Sequence, residues 1–77
     1  MEIAEQRHLK RARAWGTRLG LSVEILRTRE RVRLGFYLRD AQDRVVATAE
    51  RGLTLDEIES ELLKREKKRV REVRGER

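Results

Sequence analysis

The stretch Arg31-Val32-Arg33-Leu34-Gly35-Phe36-Tyr37-Leu38-Arg39 alternates without interruption. Val32, Leu34, Phe36 and Leu38 fall on one side; Arg31, Arg33, Gly35, Tyr37 and Arg39 fall on the other. That is the period of a half-buried β-strand. Working outward, a hairpin tip at Arg29-Glu30 sets Ile25 opposite Leu34 and Val23 opposite Phe36. A four-residue loop over residues 40–43 sets Val45 opposite Leu38, Ala47 opposite Phe36 and Ala49 opposite Leu34. Both registers keep apolar side chains together, and a one-residue slip would separate them. The middle of the chain therefore predicts a three-stranded antiparallel meander.

A helix is expected on each side of it. Ala4, His8, Ala12, Trp15 and Leu19 recur at helical spacing, with Arg7, Lys10, Arg13, Ala14, Thr17 and Arg18 opposite them. Gly20 closes this helix, and Gly16 weakens its last turn by about 1 kcal/mol. After a turn at Gly52-Leu53, Thr54 and Glu57 form a Thr-x-x-Glu capping box. Leu55, Ile58, Leu62 and Leu63 then supply a buried face, with acids early and bases late, as the helix dipole favours. The expected fold class is α+β, order α-β-β-β-α, with both helices on the apolar face of one sheet. Residues 1–63 form the domain, and residues 64–77 form a basic helical extension or frayed tail.

Composition narrows the function. The chain has 77 residues, 20 Lys+Arg against 14 Asp+Glu, and a net charge of +6. It has no cysteine, which excludes disulfides and thiolate metal sites. Arginine outnumbers lysine and amides are scarce, a composition resembling that of heat-adapted proteins. No apolar run is long enough to span a bilayer, and the start MEIAEQRHLK does not predict a secretory signal, so a cytoplasmic location is expected.

Little in the chain suits catalysis, and no enzyme activity, cofactor, metal or small-molecule substrate is expected. His8 is the one histidine, placed in an apolar stripe where a structural role suffices. The serines and threonines lack a base. Glu57 and Glu61 stand one helical turn apart, but the capping box accounts for Glu57. The glycines form no phosphate-binding loop.

The cations are what remains. The meander's outer face groups Arg31, Arg33, Tyr37 and Arg39 with Arg44, and Gly35 leaves room for close approach. Arginine contacts phosphate or guanine in a bidentate manner, and tyrosine can stack on an unpaired base. The plainer alternative is a solvated sheet face with Arg33 and Glu50 as a cross-strand pair. The first helix adds Arg7, Lys10, Arg13 and Arg18, and the tail adds Lys64, Lys67, Lys68 and Arg71. Residues 64–77 hold eight bases against three acids, and the isoelectric point near 10.7 predicts affinity for polyanions.

The order α-β-β-β-α with basic charge resembles the double-stranded-RNA-binding domain. That family's lysine cluster at the start of the second helix is replaced here by Thr54-Leu55-Asp56-Glu57-Ile58-Glu59, which is acidic. Residues 22–66 also resemble, in order of elements, the arm-type DNA-binding domain of phage and transposon integrases. That likeness implies a sheet entering the major groove with Arg31, Arg33, Tyr37 and Arg39 on the reading face. Neither likeness extends to a specific sequence motif.

The function expected is a small non-enzymatic nucleic-acid-binding protein, DNA ahead of RNA because the sheet offers one aromatic ring. The alternative is a protein-interaction module: a small subunit, adaptor or inhibitor docking an acidic partner, or a homodimer through Leu26/Val46 or Val70/Val73. Membrane binding ranks below both, since only Trp15 and Leu19 are large insertable residues on the first helix.

Overall fold

The computed structural model describes residues 2–74, with side chains for 2–69. Arg71, Val70 and Val73, singled out from the sequence, have side chains outside this description, and residues 75–77 lie wholly outside it. The elements are α1 (Ile3–Arg18), β1 (Leu21–Arg27), β2 (Arg33–Asp40), β3 (Val45–Ala47) and α2 (Leu55–Arg74). The strands form one antiparallel sheet in the order β1-β2-β3. Both helices pack on the side where Val23, Phe36 and Leu38 are buried, against Leu9, Ala12, Leu55, Ile58 and Leu62. Fully burying residues of this kind contributes roughly 1.5–3 kcal/mol each. The expected α+β meander is the fold.

Its registers are each two residues from expectation. Val23 pairs with Leu38 and Ile25 with Phe36, while Leu38 pairs with Ala47. The first turn has three residues, 29–31, where two were expected, and the second has three, 41–43, where four were expected; each moves its register by one residue, and an irregularity in each hairpin adds the second. Thr28 and Asp40 accept from the N–H groups of Arg31 and Asp43, and these two residues have positive φ of 66° and 63°. Such a turn adds a left-handed residue before the strand resumes. A two-residue shift preserves the faces, which is why the apolar sides still meet. Val32 and Leu34 are exceptions, 58% and 43% exposed, because the first hairpin reaches past the end of the core.

Each hairpin also carries an irregularity, and these do move side chains across the sheet. Between Leu26 and Arg27 the partner skips Leu34, so Arg27 pairs with Arg33. Between Leu38 and Arg39 it skips Val46, so Arg39 pairs with Val45. An inserted residue reverses the alternation beyond it. Val45, expected inside, is 55% exposed, and Val46, expected outside, packs against the core.

β3 ends at Ala47, so Ala49 is not in the sheet but exposed. The chain returns to β2 at Leu53, which exchanges both backbone hydrogen bonds with Phe36 (2.9 and 2.8 Å). This return brings Gly52 onto Gly35. A Cβ on Gly52 would lie 2.6 Å from Gly35 Cα, and one on Gly35 would lie 2.9 Å from the Gly52 backbone. Thr54 then starts α2 as expected: its N–H donates to Glu57 Oε1 (2.9 Å), and its Oγ1 accepts from the Glu57 N–H (3.1 Å). Leu63, expected in the buried face, is 44% exposed.

α1 is rotated from the expected stripe. Leu9, Ala12 and Gly16 are its buried residues, while Ala4 is exposed and His8, Trp15 and Leu19 lie partly exposed at the flank. Gly16 explains the rotation, since its missing side chain lets the helix rest on β1; a Cβ there would stand 3.1 Å from Leu21 O.

Two outcomes test this account of the backbone. Gly20 has φ +74° but nothing within 4 Å of a built Cβ, so Gly20→Ala should cost about 1–2 kcal/mol. Gly52→Ala meets both a positive φ and backbone, so it should cost clearly more in urea unfolding; equal costs would refute the contact. The second concerns the β2–β3 turn. Asp40 Oδ1 accepts from the N–H of Arg44 and of Gln42, and Oδ2 accepts from Arg44 Nε (3.0 Å). These bonds, the Arg44 N–H foremost, hold its pKa below the usual carboxylate value. The stabilisation is therefore complete above the unfolded-state pKa of about 4 and is lost as pH falls through the lower folded value. Acid unfolding of Asp40→Asn should show a shallower loss of stability below about pH 4 than the parent.

Candidate nucleic-acid interface

On the sheet, most of the expected cations are already engaged. The irregularity in β2 turns Arg33 to the helix-bearing side, where Nη1 donates to Glu5 of α1 and the guanidinium carbon lies 5.7 Å from the Phe36 ring centroid. Its partner is thus Glu5 and not the expected Glu50. Arg39 contacts Glu24 (3.3 Å) and Asp43 (3.5 Å), and Arg44 pairs with Asp40. Gly35 offers no space for an approaching ligand, because the backbone of Arg51 and Gly52 fills it. Tyr37 is half-buried, and Arg31 is exposed at the hairpin tip, where its carbonyl accepts from Arg27 Nη1 (3.2 Å).

The helix layer is different. α1 contains one acid, Glu5, and that acid is turned to Arg33. Opposite Leu9, Ala12 and Gly16, the helical period places Arg7, Lys10, Ala14 and Arg18 toward solvent, and all four are exposed. Among the described residues, Arg7, Lys10 and Arg18 have no side-chain ion pair. Arg13 is drawn aside, its Nε donating to the Val23 carbonyl (3.4 Å). That contact and the seat at Gly16 shield part of β1, which would otherwise present a bare sheet edge.

α2 runs beside α1 in the same direction. His8 meets Glu59 near their beginnings, and Arg69 Nη1 donates to the Arg18 carbonyl (2.8 Å) at the end of α1. Arg65 reaches β3, donating to the Val46 carbonyl (3.0 Å) and to Glu61 (2.9 Å). α2 therefore stays joined to the body as far as Arg69, beyond the expected limit at Leu63. The Arg65 hydrogen bond, with that of Lys64, lowers the pKa of Glu61, and Lys64 is thereby committed to Glu61 (3.2 Å). Lys67 and Lys68 are exposed and have no ion pair among the described residues. Lys68 and Arg69 share a shallow hollow with Leu19 and Leu21, close to Arg18. Cations gather there at the negative end of the α1 dipole.

The sequence gives no sign of a second cluster. His8 Nε2 lies 2.8 Å from Glu59 Oε1 and 3.9 Å from Asp56 Oδ1, and the three groups offer ligand atoms within 4.8 Å of one another. Arg11 Nε holds the other oxygen of Glu59 at 3.4 Å. The parallel packing of two helices half a chain apart makes this contact, and no local motif encodes it. His8 and Asp56 open onto a hollow of ≈ 530 Å³ that also includes Leu34, Arg33 and Arg51. Glu57 and Glu61, the acids with metal spacing, are occupied by the Thr54 cap and by Arg65 and Lys64.

No described helix is long and apolar enough to cross a membrane. In comparison with protein-family models, curated proteins and solved structures, the chain matches none.

Proposed function

We propose that this chain is a non-enzymatic nucleic-acid-binding protein that grips the phosphate backbone through its helix layer. The contact runs along the solvent face of α1, through Arg7, Lys10 and Arg18, and onto Lys67 and Lys68 of α2. The observation that carries this reading is the fate of Glu5: the one acid of α1 is bound to Arg33, so the outward face of that helix is basic without compensation. Interspersed acids are the usual state of a soluble surface. The sheet takes a lesser part, because Arg33, Arg39 and Arg44 each have a carboxylate partner.

Duplex DNA is favoured over single strands. Binding of unpaired bases relies on open aromatic faces, and here Phe36 is buried and Trp15 and Tyr37 are half-buried. A backbone contact of this kind is largely independent of sequence.

A second reading, a protein partner, is favoured by apolar exposure around the start of α1 and the first hairpin. Leu34 lines the hollow beside His8. Ile3 and Val32, 70% and 58% exposed, are chain neighbours of residues that line it.

Gel shifts with a random-sequence duplex separate these readings. Neutralising about five phosphates predicts a fall in affinity of a few hundredfold between 50 and 200 mM salt. Combining Arg7→Glu, Lys10→Glu and Arg18→Glu should abolish the shift, while Arg39→Glu with Arg44→Glu should change affinity by less than about threefold. Loss in the second variant alone would return the interface to the sheet. No shift at low salt would remove the nucleic-acid reading in favour of the protein partner.

A further inference from the structure

The junction of α1 and α2 brings an imidazole and two carboxylates together, and we infer that His8, Asp56 and Glu59 form a site for a divalent first-row transition metal, with Zn²⁺ the best fit. This inference is independent of the proposed contact with nucleic acid.

The donor set is the first argument. One imidazole nitrogen with carboxylate oxygens suits Zn²⁺, whereas Ca²⁺ and Mg²⁺ prefer oxygen alone. Geometry is the second. Ligand atoms about 2.0–2.1 Å from a tetrahedral ion stand roughly 3.3 Å apart. The distances from His8 Nε2, 2.8 Å to Glu59 Oε1 and 3.9 Å to Asp56 Oδ1, bracket that value. Opening one pair and closing the other by about half an ångström, with the two carboxylates, now within 4.8 Å, drawn together by rotation of Asp56, brings the three donors to that spacing.

Placement is the third. His8 and Glu59 come from different helices and are held by packing, with side chains 24% and 22% exposed. Asp56 is 91% exposed, so it can rotate onto an ion without disturbing the core. Because His8 and Asp56 both face the hollow, the fourth position opens to water, as in three-ligand zinc sites.

Arg11 works against the ion. Its guanidinium lies 3.4 Å from Glu59 Oε2 and weakens the pull of that carboxylate on a cation. The site thus predicts effects of opposite sign from two residues a single turn apart on the same helix.

The test is a Zn²⁺ titration of the full chain in competition with a chromophoric chelator, with circular dichroism confirming that each variant is folded. The parent should bind one ion per chain. His8→Ala should weaken binding at least about tenfold, Asp56→Asn should weaken it while the metal-free chain stays folded with only the small loss of stability expected from removing an acid from the first turn of α2, and Arg11→Ala should strengthen it several-fold. The proposal is overturned by the absence of saturable binding up to millimolar Zn²⁺. It is equally overturned if His8→Ala and Asp56→Asn both bind like the parent, which would mean scattered association with surface acids.

Discussion

The exchange of backbone hydrogen bonds between Phe36 and Leu53 is the constraint on which the other contacts rest. It ends the third strand early, closes the edge of β2 beside the core, and presses Gly52 onto Gly35. From that anchor Thr54 can begin α2 only on the face that already carries α1. Once α2 is launched there, Ile58 and Leu62 fill the core without exposure, and Glu59 and Arg69 meet α1 at its two ends. In a domain this small, where only about 60% of the unfolded surface is buried, a single backbone seam of this kind fixes much of the tertiary arrangement.

The same seam bears on function. A glycine in a basic strand reads as space left for a ligand, and here the protein's own chain occupies that space. The irregularity at Leu34, one residue earlier, turns Arg33 away from the open face and joins it to Glu5. This one ion pair takes a cation from the sheet and neutralises the one acid of α1, which the helical period already places on the inward side with Leu9, Ala12 and Gly16. The pair's worth to stability is modest, since both partners are about a third exposed and screened by water. Its larger effect is on where unbalanced charge remains.

Element order, element type and the apolar side of each strand were legible in the sequence, because period two and the capping box are local signals. The registers were not, since a left-handed Arg31 or Asp43 in place of glycine leaves no mark in the residue types and changes the length of each turn. Nor were the inserted residues Leu34 and Val46, which look regular in the alternation that hides them. The stripe of α1 was misplaced because Gly16 was weighed as a helix weakener, when it is the residue that lets the helix touch β1. Of the candidate binding residues, Arg7, Lys10 and Arg18 on α1 and Lys67 and Lys68 on α2 have no ion pair among the described residues, while Arg13 is turned to the Val23 carbonyl and Arg33, Arg39, Arg44 and Lys64 are held by carboxylates. Arg44 with Asp40 and Lys64 with Glu61 are neighbours along the chain, whereas the pair of Arg33 with Glu5, like the meeting of His8 with Asp56 and Glu59, arises between distant segments and becomes visible only in three dimensions.

The account's central claim is that the uncompensated charge sits on the helix layer and not on the meander. Backbone amide shift mapping, with a short random duplex titrated into the labelled chain, tests it residue by residue. The account predicts that the largest changes follow Arg7, Lys10, Ala14 and Arg18 and continue at Lys67 and Lys68, with Glu24, Tyr37 and Arg39 little altered. Changes centred on Tyr37 and Arg39, with α1 unmoved, would contradict it.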